Sequence, residues 1–289
     1  MAFRLINLLP RSLPTFAAKL RDNAEKVVLS SIGIVGVIAA WEIAGERHWV
    51  NRAFFPSPTD ILQATISLVH IGSLIDHIEI SLLRVLIGFS AAVVVGVLLG
   101  FVLGGFFPAV GYTLRPVLKI LGQVNAFSLF PVFILLFGIG EQAKIVIIFW
   151  TSLWPVLSMT LSGVRGVDHT LVRSVRAMSA GRFTIFWKVL MPASRRSVMS
   201  GIRSGLSTAL LMLIAAEMLG ATNGLGWLIL NSQVNYQIPR MYAAAAIIAL
   251  LGVLANSALF RLERHITATD EVVQVQVLGN RRPQQGGSR

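Results

Sequence analysis

Six long apolar stretches run along the chain, parted by short segments rich in glycine, proline and charge. The first, Val28 to Gly45, is close to the minimum that crosses a hydrocarbon core of ~30 Å. Trp41 stands near its end, where an interfacial aromatic belongs, and Glu42 follows at the membrane edge, where it need not be buried. An irregular stretch, Glu46 to Pro58, closes with FFPSP, whose prolines bias their predecessors away from helix. Thr59 to Val69 then carries Ile61, Leu62, Ile66 and Val69 at helical spacing, which predicts a short surface helix.

The second span is predicted from about His77 to Phe106, with Gly96, Gly100 and Gly104 forming a small-residue ridge for close helix contact. Arg84 falls in its first turns, placed to snorkel to the interface or to face a polar interior. The third, Tyr112 to Gly138, does not read as a simple rod: Gln123, Asn125 and Ser128 interrupt it and Pro131 follows. Polar groups at that depth either line a pathway or bond helix to helix. GIGEQ (Gly138 to Gln142) reverses the chain into a fourth span, Ala143 to Leu161. The fifth is Ser204 to Leu219, with Glu217 near its end, and the turn ATNGLG (Ala221 to Gly226) follows. The sixth is Met241 to Leu262, stopped at the membrane face by Arg261, Arg264 and His265.

Between the fourth and fifth spans lies a densely basic loop, 163–203, whose eight cations face the single acid Asp168. Asp168 is placed to cap a helix from His169 to Ser179. Ala180 and Gly181 allow a turn, and Arg182 to Leu190 forms a second short helix before Pro192. Phe183, Phe186 and Trp187 would make one apolar face of it. On residue types alone, an amphipathic helix lying on lipid headgroups is the competing reading.

Composition agrees with a polytopic membrane protein: of 289 residues 55% are hydrophobic and 13% charged, against roughly 25% charged in soluble domains. The formal net charge of +12 reflects cytoplasmic Lys and Arg beside the spans rather than nucleic-acid binding. With both termini in the cytoplasm, most of the 25 Lys and Arg gather on that side, leaving Arg47, Arg52, Lys144 and Arg240 opposite, with Arg84 at the rim. No cysteine is present, and the five histidines show no HxxxH or HExxH spacing, so thiol chemistry and a metal centre are not expected. Residues 1–27 read as a basic cytoplasmic tail, 28–265 as the membrane domain and 266–289 as a disordered tail.

From Val172 to Ser194 the loop reads VRSVRAMSAGRFTIFWKVLMPAS, which resembles the EAA loop of binding-protein-dependent ABC importer permeases. AAEMLGATNGLGWLI (Ala215 to Ile229), WEIAG (Trp41 to Gly45), FPSP (Phe55 to Pro58) and FGIGE (Phe137 to Glu141) are similar to the aliphatic sulfonate, nitrate and taurine branch. The resemblance covers roughly Val28 to Ile266. Counting back from Pro192, the family's Glu-Ala-Ala falls on Arg173, Ser174 and Val175, and its glycine on Ser179. Met191 replaces the leucine before the proline, while Ala180, Arg182, Ile185, Phe186 and Val189 fit.

The resemblance implies an all-α inner-membrane bundle of about six spans with cytoplasmic coupling helices, in a bacterial plasma membrane. It implies ATP-binding cassette subunits as partners, a periplasmic or lipid-anchored substrate-binding protein, and a second permease, the same chain or a different one. ATP and Mg would be bound by the partner ATPase, with no cofactor, metal or catalytic residue in this chain. No Walker A sequence occurs in it. Coupling to the ATPase would fall to Asp168, Arg173, Ser174, Val175, Arg176, Ser179, Ala180, Gly181, Arg182 and Phe186. The altered motif suits an unusual ATPase or a standard second permease. Asn125, Phe127, Ser128 and Glu217 are candidates for the translocation pathway, although Glu217 is equally placed to bond backbone donors of the ATNGLG turn and would repel an anion. The implied cargo is a small anion such as a sulfonate, taurine or nitrate, with a pyrimidine vitamin precursor as the alternative. An ion-driven secondary transporter would show paired intramembrane acids or inverted repeats, and a membrane enzyme a clustered nucleophile, neither of which stands out here.

Overall fold

The computed structural model describes residues 32–33, 35–45, 47, 51 and 54–279. The basic tail expected over 1–27 lies outside them. Contacts divide the chain into two compact units, Met1–Ala64 and Thr65–Arg289.

In the first unit the apolar helix α1 (Val35–Gly45) is the described part of the expected first span. WEIAG and FPSP, parted only by residues 46–54, touch here: the Trp41 indole N–H donates to Pro56 O at 3.1 Å and its ring stands 5.2 Å from Phe55. Glu42 accepts from the Thr59 hydroxyl at 2.6 Å and from the Thr59 N–H at 3.2 Å. That carboxylate thus satisfies an orphan donor at the start of α2 (Pro58–His70), where the helix dipole also favours it.

The second unit is built on three long helices. Helix α3 (Ser73–Phe101) ends in a π-helical wide turn, Val102–Phe106. Helix α7 (Glu141–Arg165) runs parallel to it, and α10 (Met191–Gly220) packs antiparallel on the other side of α7. Glycine sets both contacts. A Cβ on Gly88, Gly96, Gly100 or Gly104 would crowd Ile148, Val156, Thr160 or Val164 in turn, the worst being 2.6 Å from Thr160 at Gly100. On α10, Gly201 and Gly205 meet Met159 and Val156 of α7 at 2.8 Å by the same measure, so Val156 is shared by both contacts. Small residues let backbones approach where lipid supplies no hydrophobic drive between helices, so packing carries the association. Val85, Ile147, Ile148, Leu206, Ala209 and Leu213 fill the centre, with Ala126 and Phe130 closing it.

Among the described residues, four helices are long and apolar enough to cross a membrane. Several predicted bounds change. The expected third span is a chain of short helices, α4 (Pro108–Thr113), α5 (Arg115–Gln123) and α6 (Ala126–Phe137), with an 89° bend between the last two. Val124 and Asn125 are extended there, and the Asn125 side-chain Oδ1 accepts from Phe127 N–H at 3.0 Å, capping α6. If the bent pair is one span, the apolar helices number up to five among the described residues.

The basic loop is mostly helix. Helix α8 (His169–Ala177) ends two residues before the expected Ser179, and α9 (Arg182–Ile185) passes through a second wide turn, Phe186–Leu190, directly into α10. The fifth span therefore begins at Arg182 rather than Ser204, one continuous helix to Gly220. Pro192 does not break it: it follows directly on the wide turn Phe186–Leu190, whose i→i+5 bonding interrupts the regular i→i−4 ladder where the proline has no N–H to give. Beyond ATNGLG come α11 (Leu225–Val234) and α12 (Ile238–Gly279). The tail expected to be disordered from 266 is helical as far as Gly279, since neither glycine nor proline intervenes after Gly252. Residues 280–289 lie outside the described part.

Candidate functional site

Helices α3, α7 and α10 carry two polar constellations, one at each end. The first is the helix–turn–helix α8–α9. Asp168 Oδ1 accepts from Thr170 N–H at 2.8 Å and caps α8. Arg173, Ser174, Arg176, Ser179, Gly181 and Arg182 are exposed, while Val175, Ala180 and Phe186 are half-buried. The structure thus brings all the candidate coupling residues onto one element. Its inner side is aromatic: Phe186 lies 5.0 Å from Phe106 and 5.2 Å from Phe101, and Phe183 lies 5.8 Å from Phe106. Each such pair contributes about 0.5–1.5 kcal/mol beyond area burial. Phe106 closes the first wide turn and Phe186 opens the second, so the two widened helices interlock. Beneath them a cavity of about 490 Å³ is lined by Arg165, Arg176 and Arg182 among apolar side chains.

Ser179 occupies the position of the family's glycine, and its φ is +60°. That left-handed conformation costs an L-residue with a Cβ and costs glycine nothing. Ser179→Gly is therefore expected to stabilise the α8–α9 turn by about 1 kcal/mol. Amide exchange across 176–183 reads it: slower exchange in the variant is the expected result, and unchanged or faster exchange contradicts it.

The second constellation was only half visible in the sequence. Glu217 is 0% exposed near the end of α10, and Arg84 is 2% exposed in α3. Arg84 Nη1 donates to Glu217 Oε1 at 2.6 Å and to Asn223 O at 2.9 Å. Its Nε donates to Glu141 Oε2 at 2.5 Å, and its Nη2 to Glu141 Oε1 at 2.8 Å and Asn223 Oδ1 at 2.5 Å. Lys144 adds a 3.0 Å bond to Glu141. Glu217 also accepts from the Ser81 hydroxyl and from Gly226 N–H, both at 2.7 Å. Leu225 N–H donates to Ser81 Oγ and Gly224 N–H to His77 Nδ1. The ATNGLG turn is thereby tied directly to α3 and α10, and through Arg84 to Glu141 of α7. Gly224 has φ +110°, and a Cβ there would stand 2.4 Å from Glu217 Oε1, so the turn needs glycine twice over.

Glu217 thus sits in a closed ion-pair centre, apart from Asn125, Phe127 and Ser128, which lie together and exposed at the α5–α6 bend. A signal for the centre existed: a lone arginine and a lone glutamate in apolar spans call for each other, because an unpaired charge at that depth is costly. Among the described residues no group of three or more His, Cys, Asp or Glu is arranged to hold a metal ion.

Comparison with known proteins gives the family and the fold. The family described as "Binding-protein-dependent transport system inner membrane component" matches residues 96–268. The aliphatic sulfonates transport permease protein SsuC of Bacillus subtilis (strain 168) is 32% identical over 80% of this chain and 83% of its own. The taurine transport system permease protein TauC of Escherichia coli (strain K12) is 28% identical over 92% and 99%. The nitrate import permease protein NrtB of Synechocystis sp. is 26% identical over 85% and 91%. In fold, a chain of the MetNI methionine ABC transporter, solved in inward-facing conformations, superposes with a TM-score of 0.60 over 67% of this chain and 96% of that one, at 21% identity.

Proposed function

Because the chain belongs to the family of binding-protein-dependent transport system inner membrane components, and is thus the membrane-spanning permease subunit of an ABC importer, we propose that its cargo is a small anion. It is not an enzyme; hydrolysis belongs to partner ATPase subunits, and a substrate-binding protein delivers the cargo. Relatives named for sulfonates, taurine and nitrate support the anion class.

The observation that carries the coupling role is the α8–α9 element, basic and exposed outside, locked by aromatics to the end of α3 inside. Arg173, Arg176 and Arg182 meet an acidic groove of the ATPase, which binds ATP and Mg. Complementary charge across such an interface sets specificity and encounter. A push on that element passes through the interlocked wide turns into α3 and α10. Lys and Arg asymmetry supports cytoplasmic termini in a bacterial inner membrane. A homodimer of this chain follows the commonest closed symmetry, with Asn125, Phe127 and Ser128 of each copy near its axis.

The test is uptake. The chain is co-expressed with one ATPase and its binding protein, put into proteoliposomes, and offered labelled ethanesulfonate, taurine, nitrate or a pyrimidine precursor. Accumulation of one of the three sulfonate or nitrate cargoes that needs ATP and the binding protein is the expected result, from a two-permease, two-ATPase particle by native mass spectrometry. Uptake driven by an ion gradient without ATP overturns the importer reading. Uptake of the pyrimidine alone overturns the anion class, and a second permease in every intact complex overturns the homodimer.

A further inference from the structure

A third polar surface lies along the C-terminal half of α7 and shares Arg165 with the cavity under α8–α9. Helix α5 is short and two-faced: Arg115, Lys119 and Gln123 follow at four-residue intervals and form one stripe. Across from it α7 presents Ser158, Ser162 and Arg165, with Trp154 one turn further in. Together they line a groove of about 660 Å³ that holds three cationic side chains and, among its lining residues, no carboxylate.

Two residues that line this groove carry a buried donor without a hydrogen-bond partner: Trp154 at Nε1, and Arg165 at Nη2, which lies on the side of Gly111. A buried donor without an acceptor costs about 1–3 kcal/mol, more when charged, so this arrangement favours a ligand that accepts. Three cations without an acid select a negative one. A sulfonate, nitrate or phosphate ester offers several acceptor oxygens, and the guanidinium fork matches two of them at once. Arg165 also lines the cavity under α8–α9 and stands three residues before the Asp168 cap, so an anion held there touches the root of the coupling element.

We infer that the α5–α7 groove is an oxyanion site for the transported anion, with Arg115, Lys119 and Arg165 as charged donors and the Trp154 indole N–H as the neutral one. This rests on the anion-import reading and names the side chains that would serve it. A phospholipid headgroup has the same oxyanion chemistry, and the test separates the two sources.

The permease–ATPase complex is placed in nanodiscs of phosphatidylcholine, with or without phosphatidylglycerol, and indole fluorescence is followed as sodium ethanesulfonate is added. A saturable change is expected in phosphatidylcholine alone, absent in Trp154→Phe. In Lys119→Gln or Arg165→Gln the apparent affinity drops about tenfold, the effect of one charge-assisted bond. Lys119→Arg keeps the response; because Lys119 is exposed, folding is not at stake in that pair. No response to ethanesulfonate, a response indifferent to both glutamine variants, or one produced by phosphatidylglycerol alone overturns the site. Uptake is measured in parallel on the wild-type complex. Response with uptake supports site and import together. Uptake without a response overturns the site alone. A response without uptake overturns sulfonate import and leaves an oxyanion site that does not serve transport, which overturns its assignment to the transported anion.

Discussion

Glu217→Leu is expected to cost about 3–5 kcal/mol of stability, the penalty for removing one partner of a buried ion pair. The loss arises in three places. Arg84 loses its 2.6 Å bond to Glu217 in a site where it is 2% exposed, and Glu141, at 54% exposed, compensates only part of it. Ser81 Oγ and Gly226 N–H lose their acceptor. The ATNGLG turn is then held by fewer bonds, and α11 comes adrift from α3. Thermal unfolding of the detergent-purified chain measures this, with Glu217→Gln as the graded case, since the amide oxygen still accepts from Gly226 while the charge is gone. Replacing both charges with apolar residues, as in Arg84→Met with Glu217→Leu, is expected to recover much of the loss, because no uncompensated charge is left. A single Glu217→Leu as stable as wild type would mean that the ion pair contributes nothing.

The second large effect concerns transmission rather than stability. Arg173→Glu with Arg176→Glu reverses two exposed charges on α8 and leaves the Asp168 cap and the aromatic clasp intact. The fold is expected to survive, since exposed substitutions away from caps and packing change stability by roughly 0.5 kcal/mol or less. Transport is expected to fall more than about tenfold, because like charges now face each other across the ATPase contact. ATP hydrolysis measured beside uptake tells how. Hydrolysis without uptake means uncoupling, and loss of the ATPase on gel filtration means dissociation. Unchanged uptake in the double variant removes α8 from the ATPase contact.

Much of this architecture is local and could be read directly. Spans must be long apolar runs because lipid offers no partner for stray polar groups, so hydropathy located all four long helices to within a few residues at their outer ends. The spacing of Gly96, Gly100 and Gly104 announced a close helix contact, and α7 fills it. Asp168 announced a cap, and the cap is there. The glycine missing from the loop motif was visible as Ser179, but only its φ of +60° explains why that position asks for glycine.

Other features were illegible for a physical reason. The two short helices of 163–203 were legible, but the stretch from Met191 to Arg203 proved continuous with the fifth span, because neither its basic side chains nor Gly201, which packs against Met159, stops the helix. The bend at Asn125 was signalled by polarity, yet its 89° is set by two extended residues whose conformation depends on what α5 and α6 pack against. The ion-pair centre joins residues 133 apart in the chain, and the choice of Arg84, rather than solvent or lipid headgroup, as the partner of Glu217 depends on helix register. The sequence alone determined the class, the order of the spans and the basic helix–turn–helix, since each is written in a run or a period of neighbouring residues. Which buried charges meet, and which polar stripe of α5 faces which stripe of α7, only the tertiary structure decided. Those contacts depend on the rotation and depth of one helix against another, and glycine ridges set these through packing that no local pattern encodes.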